Sequence, residues 1–452
     1  MSKPELCVGV CGAGGWFVQR AHLPGWQRIE KRRDLEFTVR VVAVFSRAGA
    51  SGERARKRLG AWGAQLRWYD DFEALLADAE VDVLDIALPI PSQLAFVERA
   101  LAAGKSVVSE KPICAAAENA LHAFRLAALA QPPRAWSVLE NWACKPSVLA
   151  VRHLLEAGAI GNPEAYTARL VRAVGPADTL GWRTPGSYKG CFLLDVGVHL
   201  LRATRVWFGE VEEVCDVQLA DGGVSGRASL THRRDARVVC GTLEWQFIVG
   251  AASAPDTLQP LASFVVRGSA GSLEWDADEG SVRVQRAPLQ EQAPAADSVA
   301  LEQPAEAQAS IERRVEGDRW VAGGVREALV DALVHTAHVH GLVARTPSGP
   351  HRTSPVEAAR DALCVRAICE SAHCAGGRVR PAELGGILSR GVPLADAMGT
   401  WRELPEWRCE CACELDVLLA LCALVQLQAE RGVRVHVAAV GAGHSWAVRA
   451  AP

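Results

Sequence analysis

Three side chains in this sequence have the types and settings that moving hydrogen at an alcohol or carbonyl carbon requires. Asp195 and His199 stand four residues apart in the stretch Gly190–Gly209, GCFLLDVGVHLLRATRVWFG. On a helix that spacing puts both on one face. The apolar residues around them (Val196, Val198, Leu200, Leu201, Val206, Trp207) would pin such a helix against a sheet. An imidazole and a carboxylate held together there can share a proton near neutral pH. The third is Lys111, in Glu110-Lys111-Pro112 directly after the strand-like run Lys105–Ser109. Open parallel sheets bind ligands at the carboxyl ends of their strands. A lysine at that edge can hydrogen-bond a reacting oxygen and stabilise negative charge on it. The plainer reading of Gly190–Gly209 is an ordinary amphipathic helix with a capped Asp and a satisfied His. The upstream elements decide between the two.

Those elements begin with the apolar run Leu6–Cys11, then Gly12-Ala13-Gly14-Gly15, then a helix from Phe17 to Ile29. A strand, a glycine turn and a helix open a dinucleotide-binding unit, in which helix N–H groups hold a pyrophosphate. Gly12, Gly14, Gly15 and Trp16 are therefore expected to bind the cofactor. Phe17 occupies the third small position of the fingerprint, where glycine or alanine gives close helix–strand packing. The second strand, Val39–Phe45, ends in Ser46-Arg47 rather than in the Asp or Glu that holds a ribose 2′-hydroxyl. A hydroxyl and a cation suit a 2′-phosphate, so NADP is expected, with NAD as the alternative. Ser46 follows Gly12 by 34 positions (46 − 12), and Glu30–Asp34 reads as the inserted loop responsible. Alternation continues with a helix over Phe72–Ala79, a strand over Val81–Leu88 ending at Pro89, and a helix over Leu94–Ala103 capped by Gly104. Pro89 and Glu110, at strand ends, join the expected cofactor rim. His22 reads as a helix-end residue near the cofactor loop rather than as a catalyst.

The chain has 452 residues, enough for two or three domains. Its composition, 49% hydrophobic and 22% charged, is that of a globular protein with a full core. A formal net charge of −3 gives no reason to expect nucleic acid or an anionic membrane as partner. No apolar run reaches the ~20 residues of a membrane span, and the N-terminus lacks a signal-peptide layout. The fourteen cysteines are scattered, several within apolar stretches, which fits a reducing, cytoplasmic setting. Cys409, Cys411 and Cys413 lack the spacing and second ligand pair of a zinc site, so no metal is expected.

The series VGVCGAGG, VDVLDIALP, AGKSVVSEKP, VLENW and GCFLLDVGVHLL resembles the glucose–fructose oxidoreductase / inositol dehydrogenase (Gfo/Idh/MocA) family over about residues 5–385. The segment GWRTPGSYKGCFLLDVGVHLLRATRVWFG is most similar to an NADP-preferring eukaryotic branch. Cys191 and Val196 stand where that branch has glycines, Gln93 where many relatives have His, and Ala143 where many have Arg. The last two positions concern the cofactor and substrate rim. The resemblance implies an α/β protein: a Rossmann dinucleotide-binding domain over 1–135, then an α+β domain with an open, mostly antiparallel sheet over 136–388. Further strands are expected at Ala165–Val174, Val211–Leu219, Ser229–Arg234, Ala236–Ile248, Ala262–Arg267 and Ser281–Gln285. Helices are expected at Val148–Ala157, Val325–Leu342 and Pro355–Ala375, with a flexible insertion over 287–309. The resemblance also implies Glu140 and Asn141 near the nicotinamide ribose, and a homodimer or homotetramer. His199 would move the hydroxyl proton, Lys111 would hold the reacting oxygen, and Asp195 would orient the substrate or His199. Tyr188 and Lys189 are candidates for the substrate rim.

Residues 389–452 form a separate extension. An amphipathic helix over Leu415–Glu430 precedes a strand over Val433–Val440 and the loop Gly441-Ala442-Gly443-His444-Ser445. This series resembles the opening of FAD-dependent oxidases of the vanillyl-alcohol-oxidase type that act on sugar lactones and alditols. It is too short to enclose a flavin, so FAD is not expected. Two rivals accompany the expected NAD(P)-dependent oxidoreductase of carbohydrate-like hydroxyl or carbonyl substrates. One is a catalytically silent NADP-binding sensor or regulatory subunit. The other is a fragment of a fusion with a flavin-dependent oxidase.

Overall fold

The computed structural model describes residues 3–47, 50–130, 132, 134–174, 181–183, 188, 190–234, 236–249, 261–286, 310–314, 324–343, 351–381, 407–410, 434–439 and 445–451. The first sheet has six parallel strands: β1 (Glu5–Cys11), β2 (Thr38–Phe45), β3 (Arg67–Tyr69), β4 (Val83–Ile86), β5 (Ser106–Glu110) and β6 (Trp136–Leu139). Their spatial order is 3-2-1-4-5-6, the order of doubly wound dinucleotide-binding folds, with its switch point between β1 and β4. The expected division after residue 135 falls before this sheet's last strand.

Strand alternation sorts the core into two layers. Leu6, Val8 and Val10 face one side with Val83 and Val108, against α1 (Leu23–Ile29) and, from far along the chain, helix Val325–Val339. Trp26, Leu329 and Leu333 are fully buried there. Truncating Leu329 to Ala would cost about 2–5 kcal/mol. Cys7, Cys11, Leu84, Ile86 and Val107 face the other side. Of the helices α2 (Ala50–Ala64), α3 (Phe72–Leu76), α4 (Ile90–Ala102) and α5 (Leu121–Leu129), three fill that layer through Leu75, Val97, Leu101 and Phe124. Helix α4 starts four residues before the expected Leu94. Pro89 caps it and Pro91 lies in its first turn, where a missing N–H costs no hydrogen bond.

The second sheet has eight strands. They are β7 (Pro163–Val174), β8 (Glu210–Ala220), β9 (Ser225–Arg234), β10 (Arg237–Val249), β11 (Leu261–Gly268), β12 (Gly271–Asp276), β13 (Ser281–Arg286) and β14 (Ser310–Arg314). Only β7 and β10 pair in parallel; every other neighbouring pair is antiparallel. The strand β12 was not expected from the sequence, and its buried Leu273 and Trp275 alternate with half-buried Ser272 and Glu274. One face of the sheet packs on α6 (Pro146–Glu156), α7 (Val198–Phe208) and the late helix α9 (Pro355–His373); α8 is Val325–Val339. Trp207 of α7 meets Phe264 and Trp275 edge-on, with ring centroids 5.0 and 5.2 Å away. Helix α7 is also tied to α9 by buried ion pairs, Arg202 to Asp361 at 2.6 Å and Arg205 to Asp361 at 2.5 Å. Replacing one partner of such a pair strands the other charge without water.

Three short strands close the described chain: β15 (Trp407–Glu410), β16 (Arg434–Ala439) and β17 (Ser445–Ala451), in the order 15-17-16. The strand expected over Val433–Val440 corresponds to β16. The insertion over 287–309, the helix over Leu415–Glu430 and the loop Gly441–His444 lie outside the described residues. Among the described residues no helix is long and apolar enough to cross a membrane.

Candidate active site

The glycine turn follows β1 at the switch point. Gly12 has a φ of 92°, and a Cβ there would lie 2.3 Å from the Ala87 carbonyl oxygen. Only glycine allows this close passage beside the end of β4. The N–H groups of Gly12 and Ala13 both point to the Phe45 carbonyl, at 3.0 and 3.4 Å, which ties the turn to the end of β2. The helix begins at Trp16, and its first N–H groups have no acceptor within the helix. A glycine passage followed by a helix N-terminus is the arrangement that receives a pyrophosphate, so these residues fit a dinucleotide. Trp16 is 56% exposed with the Arg20 guanidinium over its ring. Phe17, expected to disturb packing, is half-buried with its ring 5.4 Å from that of His22. Ser46 and Arg47 follow β2 beside the turn; the Ser46 N–H is held by the Tyr69 carbonyl, and Arg47 is exposed.

Lys111 projects from the end of β5, its backbone bracketed on both sides. Its N–H donates to Glu110 Oε2 at 3.1 Å. Behind it, the Gln93 side-chain amide donates to the carbonyls of Glu110 (2.6 Å) and Pro112 (3.1 Å). Gln93 is buried and braces this turn from the rear, rather than lining the rim as expected. The Lys111 ammonium donates to the Asp195 carbonyl and lies 3.2 Å from Asp195 Oδ1. Asp195 Oδ2 accepts from Arg183 Nε at 2.6 Å. Burial pushes the Asp195 carboxyl up, but Lys111 and Arg183 outweigh it and hold the group below the ordinary carboxylate range.

His199 corrects the spacing argument. Its Nδ1 lies 2.6 Å from Glu140 Oε1, not against Asp195, and its ring stacks on Trp142 at 5.4 Å. Asp195 belongs to a π-turn, Leu193–Gly197, and His199 to the α-helix after it. The wider turn changes the angle between positions four apart, so the two side chains take different partners. Glu140 is fully buried. Burial raises its carboxyl, but the His199 charge and hydrogen bond bring it below its usual value. Glu140 and Asn141 stand in the short turn after β6, with Asn141 also buried. Tyr188 is half-buried beside Trp182; burial and the Asp195 charge push its hydroxyl well up. Lys189 lies outside the described residues. Cys191, where the resembling branch has glycine, holds a φ of 39°, a conformation that glycine adopts without strain.

Sequence reading did not single out Arg183, Asp85 or the inward partners of His22. Arg183 stands in the quoted Trp182-Arg183 segment, and Asp85 lies within the strand read over Val81–Leu88, where nothing local marks its partner.

A model of the oxidoreductase family with an NAD-binding Rossmann fold matches residues 6–132, and the GFO/IDH/MocA C-terminal domain matches residues 148–274. The chain belongs to the Gfo/Idh/MocA family. It is 33% identical over 181 residues to the dTDP-3,4-didehydro-2,6-dideoxy-alpha-D-glucose 3-reductase of Streptomyces violaceoruber, across 40% of this chain and 51% of that protein. It is 30% identical over 199 residues to the D-apiose dehydrogenase of Paraburkholderia graminis, across 44% of this chain and 49% of that one. The chain thus spans about half the length of the curated relatives it matches. Levoglucosan dehydrogenase in complex with NADH and levoglucosan shares the fold, with a TM-score of 0.65 at 18% identity over 83% of this chain and 99% of that structure. The description of the matching family model, an NAD-binding Rossmann fold, supports a nicotinamide cofactor.

Proposed function

We propose that this Gfo/Idh/MocA chain is a nicotinamide-dependent oxidoreductase that interconverts a hydroxyl and a carbonyl on a sugar or sugar-like substrate. The observation that carries this reading is the convergence on one strand edge of Lys111, Asp195 with its partner Arg183, and the Glu140–His199 pair. The nicotinamide, when bound, supplies or takes the hydride. With Nδ1 of His199 committed to Glu140, proton exchange with the substrate oxygen falls to Nε2, and the buried carboxylate stabilises the ring when it is protonated. Lys111 donates a hydrogen bond to the same oxygen and stabilises the charge that builds on it during reduction. Asp195 acts on Lys111, holding its ammonium between two oxygens, rather than on His199. Tyr188 and Lys189 belong to the substrate rim in this reading. Ser46 and Arg47 favour NADPH, because a hydroxyl and an exposed cation suit a 2′-phosphate better than a bare ribose. Sugar-transforming relatives support the substrate class.

Fluorescence titration with NADPH and NADH tests the cofactor. A panel including levoglucosan, D-apiose and a nucleotide-linked keto sugar, assayed in both directions, tests the reaction. Lys111→Ala should lower turnover about 100- to 1,000-fold with little change in NADPH affinity. Undiminished turnover in that variant would overturn the assignment.

A further inference from the structure

The reaction above makes no use of the most deeply buried ionisable cluster in the first sheet. The helix after the glycine turn widens over Val18–His22, where the Leu23 N–H reaches back five residues to the Val18 carbonyl. His22, fully buried, sits on this turn beneath the sheet edge. Its Nδ1 lies 2.8 Å from Asp85 Oδ2 at the end of β4, and its Nε2 lies 3.0 Å from Glu110 Oε1 at the end of β5. The Trp26 indole N–H donates to the same Asp85 oxygen at 2.7 Å. The Phe17 ring on its own helix packs against it, and near the same Asp85, on β1, is Cys11, whose thiol burial and then the Asp85 charge push up. A neutral imidazole has one N–H and can donate to one carboxylate; an imidazolium donates to both. The other Glu110 oxygen accepts the Lys111 N–H. An unbroken line of contacts therefore runs from the helix that opens at the glycine turn, through His22 and Glu110, to the Lys111 backbone.

We infer that His22 is a cationic positioning residue that fixes the Lys111 backbone through Glu110, and so joins the cofactor-binding helix to the residue that meets the substrate oxygen. The importance of Lys111 rests on the proposed function; the charge state and the linkage do not. Glu110, expected at the cofactor rim, spends both carboxylate oxygens on this linkage. Burial alone would depress the His22 ring, but the charge of Asp85 and the hydrogen bonds of both carboxylates raise it to about 10.

Two measurements on the full chain without cofactor test this. In protein labelled with ¹⁵N-histidine, the His22 ring, assigned by its loss in His22→Gln, should carry protons on both nitrogens at about pH 8.5, where ordinary histidines are neutral. A neutral ring at that pH overturns the proposal. In reductively ¹³C-methylated protein, the Lys111 signal, assigned by its loss in Lys111→Arg, should titrate at higher pH by about half a pH unit or more in His22→Gln. Removing the cation leaves Glu110 uncompensated beside Lys111. An unmoved Lys111 titration overturns the linkage. If His22→Gln does not fold, the wild-type ¹⁵N spectrum still decides the charge. Glu110→Gln then tests the linkage: with that carboxylate removed, Lys111 should titrate at lower pH. Neither readout involves turnover, so a chain inactive on every sugar leaves the test intact.

Discussion

His22 and His199 each lie at the edge of a sheet, on a helical turn, against a glutamate at the end of a parallel strand. His22 has a carboxylate on both ring nitrogens and no exposure. His199 has the Glu140 carboxylate on Nδ1, and its side chain retains 11% exposure. A ring held from both sides is fixed in charge and place. A ring with a buried carboxylate on Nδ1 and some exposure is fixed in tautomer and can still serve as an acid–base. The same side chain thus serves as a strut in one setting and as a candidate acid–base in the other. Full burial between two carboxylates separates the strut from the partly exposed ring.

The largest effect that could break this contrast is on turnover. His199→Asn should lower kcat about 100- to 10,000-fold while NADPH binding persists; a loss under tenfold would mean that His199 is as structural as His22. Glu140→Gln should lower kcat by about tenfold or more and change its pH dependence, since the variant no longer stabilises the protonated ring. A pH profile identical to wild type would separate Glu140 from His199.

Stability against pH sharpens the contrast further. The raised His22 ring contributes stability that is complete below the ordinary histidine range and is lost as pH rises through about 10. Glu140, held low, contributes stability that is present above the ordinary carboxylate range and is lost as pH falls. Urea denaturation from neutral pH to about pH 10.5 should show a decline in wild type that is flattened in His22→Gln. Equal declines would place the alkaline loss elsewhere. The smallest effect is expected at the periphery. Arg47→Ala should weaken NADPH by about 1 kcal/mol and leave NADH nearly unchanged, because an exposed cation meets its anion through water. Equal weakening would take Arg47 away from the 2′-phosphate.

Much of the site was legible because its signals are local. A glycine turn after an apolar strand, a lysine closing another strand, and an Asp–His pair on an apolar helix are each visible within a short window. The partners were not legible, because they come from far away. His22 meets residues 63 and 88 positions distant, and His199 meets one 59 positions distant. The pairing of Asp195 with His199 was misjudged for a local reason: the spacing assumed a regular α-helix, and the Leu193–Gly197 π-turn breaks that assumption. In the fold, the alternation that marked β7, β10 and β11 also runs through β12. That strand is short and lies between Gly271 and the turn before β13, so it reads as part of a loop.

Helix α8 gives the chain an order of assembly. It follows all eight strands of the second sheet, yet Leu329 and Leu333 cover the layer of the first sheet that holds Trp26 and Val10. A nascent chain cannot bury that face until residue 339 has left the ribosome, long after β6 is complete. A fragment ending after β6 would carry every residue of the glycine turn and still present a bare hydrophobic wall, prone to association with other copies. The dinucleotide-binding half is contiguous along its sheet but completed only by a segment that returns to it.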